Sequence, residues 1–84
     1  PVTIPLPGTD SVLKANVPLA PFTSFRVGGP ADWYIAPRQF DELLASLEWA
    51  NSQGLPVTML GAGSNLLISD SGLPGLVIST RHLR

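Results

Sequence analysis

The stretch from Gln39 to Gln53 sets Phe40, Leu43, Leu44, Leu47 and Ala50 at the i, i+3, i+4, i+7 spacing of one helical face. This apolar face constrains the chain more than any other feature, because it needs a sheet or a second helix to cover it. The ends agree with a helix. Asp41 and Glu42 place negative charge in the first turn, Gly54 supplies a left-handed C-terminal position, and Pro56 follows. Neither Arg38 nor Gln39 is a good N-cap. Trp49 falls about 180° from Phe40 at ~100° per residue, off the stripe, and is expected to cover a neighbour that the chain lacks.

Strand signals flank this helix. Ala31 to Ala36 carries aromatic and β-branched residues between Pro30 and Pro37. Pro56 to Leu60 and Gly75 to Thr80 read as buried strands. A strand, a helix and a strand on short turns form a βαβ unit with the helix on one face of a parallel pair, and Gly75 to Thr80 adds a further strand. Five of the nine prolines fall in residues 1–22, where they remove the donors that a sheet or helix interior needs. That segment is expected to be an extended arm, with an ambiguous apolar stretch from Ser11 to Val17 inside it.

Charge and composition exclude several classes. The net charge is -1 and the basic residues Lys14, Arg26, Arg38, Arg81 and Arg84 are scattered in sequence, so no electropositive stripe for nucleic acid is expected. With no cysteine and one histidine, His82, neither a disulfide framework nor a thiolate or histidine metal site is expected. His82 reads as a surface or interdomain histidine. Asp32 and Asp70 lack a carboxylate neighbour in sequence, which argues against a metal or acid–base pair. No apolar run reaches the roughly 20 residues of a membrane helix, and no signal core follows a basic N-terminus. A cytoplasmic protein without membrane or nucleic-acid partners is the expectation. The start at Pro1 and the end at Arg84, directly after a strand-like run, read as those of a piece cut from a longer chain.

The informative segment is Gly61-Ala62-Gly63-Ser64-Asn65, which leaves one strand and runs into Leu66-Leu67-Ile68. Glycines at alternate positions let consecutive N–H groups converge on an anion without Cβ interference, and Ser64 and Asn65 add donors. No Gly-Lys-Ser/Thr follows, which excludes a Walker loop. Leu66 stands where the dinucleotide fingerprint has its third glycine, and a strand-to-strand position replaces the usual strand-to-helix one. The bland alternative is a tight turn. Ile68 to Gly75 reads as a polar turn that brings the chain into the next strand.

From Val57 to Ile78 the sequence V-T-M-L-G-A-G-S-N-L-L-I-S-D-S-G-L-P-G-L-V-I resembles the flavin-diphosphate segment of the UDP-N-acetylenolpyruvoylglucosamine reductase family. Thr23-Ser24-Phe25-Arg26-Val27-Gly28-Gly29-Pro30-Ala31 resembles the N-terminal signature of the same family, with the helix and its Gly54-Leu55-Pro56-Val57 exit between the two. The resemblance covers residues 18–84. One position departs: many members carry asparagine before the threonine of the first signature, where this chain has Phe22.

The resemblance implies an α+β fold, the first subdomain of a vanillyl-alcohol-oxidase-type FAD-binding domain, in which two subdomains hold FAD between them and a separate domain contributes to the substrate site. It implies that residues 23–84 form the N-terminal part of the FAD domain, with the rest of that domain and the substrate domain absent. The activity implied is the reduction of UDP-N-acetylglucosamine enolpyruvate to UDP-N-acetylmuramate in cell-wall peptidoglycan synthesis, with NADPH as reductant and FAD as carrier. Gly61, Ala62, Gly63, Ser64, Asn65 and Leu66 fall on the loop that hydrogen-bonds the FAD diphosphate. Gly28 and Gly29 are further cofactor-binding candidates, with a turn feeding the strand as the other reading. Arg26 either helps to neutralise the diphosphate or is solvated. The family's active-site arginine, proton-donating serine and late glutamate match no position here, so no catalytic residue is assigned and the chain alone is expected to be inactive. Two other functions stay open at this point: a different FAD-dependent oxidoreductase, and a non-catalytic nucleotide-binding module.

Overall fold

The computed structural model describes residues 2–22, 28–61 and 71–83. In chain order these form β1 (Thr3–Pro5), β2 (Val12–Pro18), a single 3-10 turn (Ala20–Phe22), β3 (Pro30–Ile35), α1 (Phe40–Ser52), β4 (Val57–Leu60) and β5 (Leu73–Ser79). The five strands make one sheet in the order β1-β2-β3-β5-β4. The β1–β2 and β2–β3 pairs are antiparallel, and β3–β5 and β5–β4 are parallel. The expected βαβ unit is present as β3-α1-β4, but its two strands are not neighbours. The further strand, β5, lies between them.

Residues 2–22, expected as an arm, instead supply two strands of this sheet. The prolines are accommodated because Pro5 and Pro18 stand at strand ends, where a missing donor costs little. Gly8, at φ 80°, turns β1 into β2, and the Thr9 hydroxyl donates to the Leu6 carbonyl at 3.1 Å. Leu6, Leu13 and Leu19 from this segment are fully buried.

The sheet has an apolar cluster on each face. Under α1 lie Leu6, Leu13, Ile35, Leu76, Ile78 and Ala50, flanked by Trp33, Leu43 and Trp49. On the opposite face Leu19, Ala31, Tyr34, Leu60 and Val77 pack with Val17 and Phe22. The alternation of β3 breaks at Asp32, where the pairing with β5 slips between Ala31 and Trp33. A slip of one residue moves side chains to the other face, so Ala31 and Trp33 fall in different clusters. Asn16, opposite this point in β2, has φ 54°, a conformation asparagine tolerates.

Helix α1 turns a different face to the sheet than its leucine spacing predicts. Phe40 is 63% exposed, and Leu44 and Leu47 are exposed as well. The packed face is Leu43, Ser46, Trp49 and Ala50. Small residues at 46 and 50 let the helix approach the strands, and the buried Ser46 hydroxyl is satisfied by the Glu42 carbonyl at 2.7 Å. Trp49 does not wait for an absent neighbour: it meets Trp33 edge-on, with ring centroids 5.7 Å apart.

The helix ends follow their sequence signals. Gln39 makes no side-chain cap, and Glu42 Oε1 reaches back past it to accept the Arg38 N–H at 2.9 Å. At the other end Gly54 has φ 69°, its N–H donates to Asn51 O, and Leu55 N–H donates to Ala50 O, which together make a Schellman motif.

Candidate functional site

The three parallel strands all end at one edge. Ile35 closes β3, Leu60 closes β4 and Ser79 closes β5, with the Thr80 N–H donating to the Leu60 carbonyl at 3.0 Å. In sheets of this kind, ligands bind in the crevice outside the carboxyl ends of the strands, next to the point where strand order departs from chain order. That condition holds here, where β5 separates β3 from β4.

Gly61 leaves β4 at this edge and is exposed. A Cβ at Gly61 would have only Thr80 Oγ1 among the described residues within contact range, at 3.9 Å, so the backbone here is open to an approaching group. The remaining residues of the glycine-rich loop, Ala62, Gly63, Ser64, Asn65 and Leu66, lie outside the described residues, as do Arg26 and Asp70. Gly28 has φ 141°, a region that favours glycine, and Gly29 accepts the Leu19 N–H through its carbonyl at 3.3 Å. Both stand at the start of β3, the opposite end of that strand from the cleft described next.

A cleft of about 550 Å³ opens at the ends of β3 and β5, lined by Lys14, Tyr34, Phe22, Arg81 and His82 together with Arg38, Glu42 and Asp10. Every lysine and arginine among the described residues lines it. Folding therefore produces a concentration of positive charge that the linear sequence does not display. Lys14 is brought there because it is the Cα partner of Tyr34 across the β2–β3 pair and shares its face. Phe22 stacks on the buried Tyr34 with centroids 5.0 Å apart, and the Arg81 guanidinium lies 5.4 Å over the Phe22 ring.

The carboxylate of Glu42 is held below the ordinary range, first by the Arg38 backbone N–H, then by the Ser11 side chain and, to a smaller degree, by the Arg38 charge. It is engaged at the helix start and remains a negative charge within the cleft. His82 is exposed at the rim. Asp32 serves the fold, since its Oδ2 accepts the Gly75 N–H at 3.1 Å, the donor displaced by the register slip. Among the described residues no group of three His, Asp or Glu side chains is placed to hold a metal ion, and no helix is long and apolar enough to cross a membrane.

Sequence reading did not find the Lys14–Arg38–Arg81 convergence. These residues come from three elements far apart in the chain, and only the strand order brings them to one edge. The donor set, cations around a strand-end crevice, suits a phosphate-bearing ligand such as FAD.

Known proteins agree with this class. Residues 31–84 match the FAD binding domain family, most of the chain, and the chain belongs to that family. The relatives it matches share one name. The chain is 65% identical over 72 residues to the UDP-N-acetylenolpyruvoylglucosamine reductase of Synechococcus sp. strain JA-3-3Ab, and 71% identical over 72 residues to that of Acaryochloris marina. These matches cover 86% of this chain and 23% of each relative. With the same reductase of Synechocystis sp. it shares 58% identity over 81 residues, 96% of this chain and 26% of the relative. The chain thus spans about a quarter of the length of the curated relatives it matches. Its mixed sheet with one helix fits an incomplete first subdomain of such an FAD-binding domain.

Proposed function

We propose that this chain is the N-terminal, FAD-holding portion of an NADPH-dependent reductase that converts UDP-N-acetylglucosamine enolpyruvate to UDP-N-acetylmuramate for peptidoglycan synthesis in the cytoplasm. The observation that carries the reading is the 65–71% identity to reductases of that name over 72 residues, a span that includes the glycine-rich loop. The family match to an FAD binding domain supports the cofactor, and the basic strand-end cleft is compatible with its charge.

In this role the backbone N–H groups of Gly61, Ala62, Gly63, Ser64, Asn65 and Leu66 hold the diphosphate. Ser64 and Asn65 add side-chain donors, and Gly28 and Gly29 shape the turn that feeds β3 or touch the cofactor directly. Bound FAD supplies a two-electron carrier between NADPH and the enolpyruvyl double bond. The chain's own contribution is to bind and orient that carrier. A proton donor and groups that stabilise enolate-like charge are also required, and none is assigned among these residues. By the same reading the 84-residue chain alone does not turn over.

The test is gel filtration of the complete gene product with flavin absorption followed beside protein absorption, then anaerobic addition of NADPH and of the enolpyruvyl sugar nucleotide. A yellow protein bleached by NADPH and recoloured by the sugar nucleotide is expected. A colourless protein defeats the flavin reading. A yellow one that NADPH bleaches but the sugar nucleotide does not recolour is an oxidoreductase with another substrate.

A further inference from the structure

The cleft at the ends of β3 and β5 holds an arginine in a defined setting. Arg81 is held at the end of a column, with its guanidinium over Phe22 and Phe22 on the buried Tyr34. Its backbone N–H is fixed to the buried Ser79 Oγ at 3.4 Å. A guanidinium held over an aromatic ring retains N–H groups that can make two parallel hydrogen bonds to an oxyanion. Lys14 stands beside the same column as the cross-strand partner of Tyr34, and it adds a compact ammonium.

Both side chains are exposed, and among the described residues neither has a carboxylate partner. Of the two acids lining the cleft, Glu42 is engaged at the helix start and Asp10 stands on the β1–β2 connection. Lys14, Arg38 and Arg81 outnumber the two carboxylates that line the cleft, and this positive balance suits an anion.

We propose that Arg81 and Lys14 form a phosphate-binding pocket at the ends of β3 and β5, with Arg38 also lining it, distinct from the backbone nest of the glycine-rich loop. The pocket takes a phosphate of a nucleotide lying along the carboxyl edge of the sheet. It rests on the nucleotide-cofactor reading above for the identity of the ligand, and on the column geometry for its existence.

The experiment is calorimetric titration of the flavin-stripped complete gene product with pyrophosphate and, separately, with FAD. Wild type is compared with Arg81→Gln, Lys14→Gln and Lys14→Arg, after circular dichroism has established equal folding. Each glutamine variant is expected to bind pyrophosphate roughly tenfold more weakly, the loss of one charge-assisted contact, and Lys14→Arg to bind it nearly as wild type. A parallel fall in FAD affinity assigns the phosphate to the cofactor. Unchanged FAD affinity with weakened pyrophosphate binding assigns it to another nucleotide. If both glutamine variants bind pyrophosphate and FAD as wild type does, the pocket is refuted while the flavin reading stands. If pyrophosphate binds in an Arg81-dependent way but FAD never binds, the pocket stands and the flavin reading falls. Lys14→Gln keeps the question decidable should Arg81→Gln fail to fold, because Lys14 makes no column contact.

Discussion

At the N-terminal end of β3, β5 and β4, glycine lets backbones touch. At the C-terminal end it leaves room for something else to approach. A Cβ on Gly72 would come within 1.9 Å of the Pro30 carbonyl oxygen, and one on Gly75 within 2.3 Å of the Pro56 carbonyl oxygen. Both glycines have positive φ, at 88° and 80°. The start of β5 is wedged between the starts of its two neighbours, with the Leu76 N–H donating to the Pro56 carbonyl at 2.9 Å and the Gly75 N–H to Asp32. At the other end a Cβ on Gly61 would meet, among the described residues, only the Thr80 hydroxyl at 3.9 Å, and cations line the cleft. One end is closed by hydrogen bonds and steric fit, and the other is lined by charge. Stability is concentrated at the first, and the proposed binding at the second.

The strongest way to break this comparison is alanine at each end. Gly72→Ala puts a Cβ into backbone that cannot move without unpairing β3, and a cost of about 4 kcal/mol or more is expected, comparable to the whole stability of a small domain. Gly75→Ala should behave alike. Gly61→Ala, in contrast, should cost under about 0.5 kcal/mol, as a substitution that meets only an ordinary contact among the described residues. Denaturant unfolding of the complete gene product measures all three, and equal losses at Gly61 and Gly72 would erase the distinction.

The binding side of the comparison is sharpened at Gly63. Gly63→Val is expected to weaken FAD retention by roughly tenfold or more by holding the ligand off the backbone donors, while the unfolding midpoint stays near wild type. Fluorescence titration with FAD reads the first quantity and thermal denaturation the second. Normal flavin affinity in this variant would make Gly63 a turn residue.

How much of this was legible depends on the range of the physics involved. The ends of α1 were legible because their signals are local: Asp41 and Glu42 at the start and Gly54 at the exit act within one turn. The face of α1 was not, because the periodicity of Phe40, Leu44 and Leu47 competes with a second arc, and the choice between them falls to tertiary packing around Ser46, Ala50 and the Trp33–Trp49 contact. The two N-terminal strands were hidden by prolines whose harm depends on position rather than number: Pro5 and Pro18 stand at strand ends, where no ladder donor is required. The loop motif is read as chemistry because glycine spacing governs how closely a ligand can approach the backbone, and its residues after Gly61 lie outside the described residues. The cations of the cleft were not, since nothing in the spacing of residues 14, 38 and 81 anticipates that β5 enters between β3 and β4.

A smaller effect probes the closed end. Asp32→Ala removes the acceptor of the buried Gly75 N–H and is expected to cost about 1 kcal/mol, whereas Asp32→Asn keeps an oxygen in place and should recover most of it. An equal loss in both variants would show that charge, not the acceptor, matters at the register slip.

The smallest predicted effect belongs to the open end and is a dependence on pH. Glu42 is held below its ordinary value of 4.5 by the Arg38 N–H, the Ser11 side chain and the Arg38 charge, so the folded protein keeps this carboxylate ionised at pH values where the unfolded chain has taken up a proton. Its contribution to stability is therefore complete above the unfolded value and is lost as pH falls through the lower, folded value. Glu42→Gln should be slightly less stable than wild type at neutral pH, with the gap closing in acid. The same substitution removes a negative charge from the cleft, so pyrophosphate should bind the variant somewhat more tightly at neutral pH. A gap that persists unchanged into acid would mean that the carboxyl contributes through shape alone. Unchanged pyrophosphate affinity would mean that Glu42 is screened from the cations, and that the open end is divided between a helix cap and an anion site that do not sense each other.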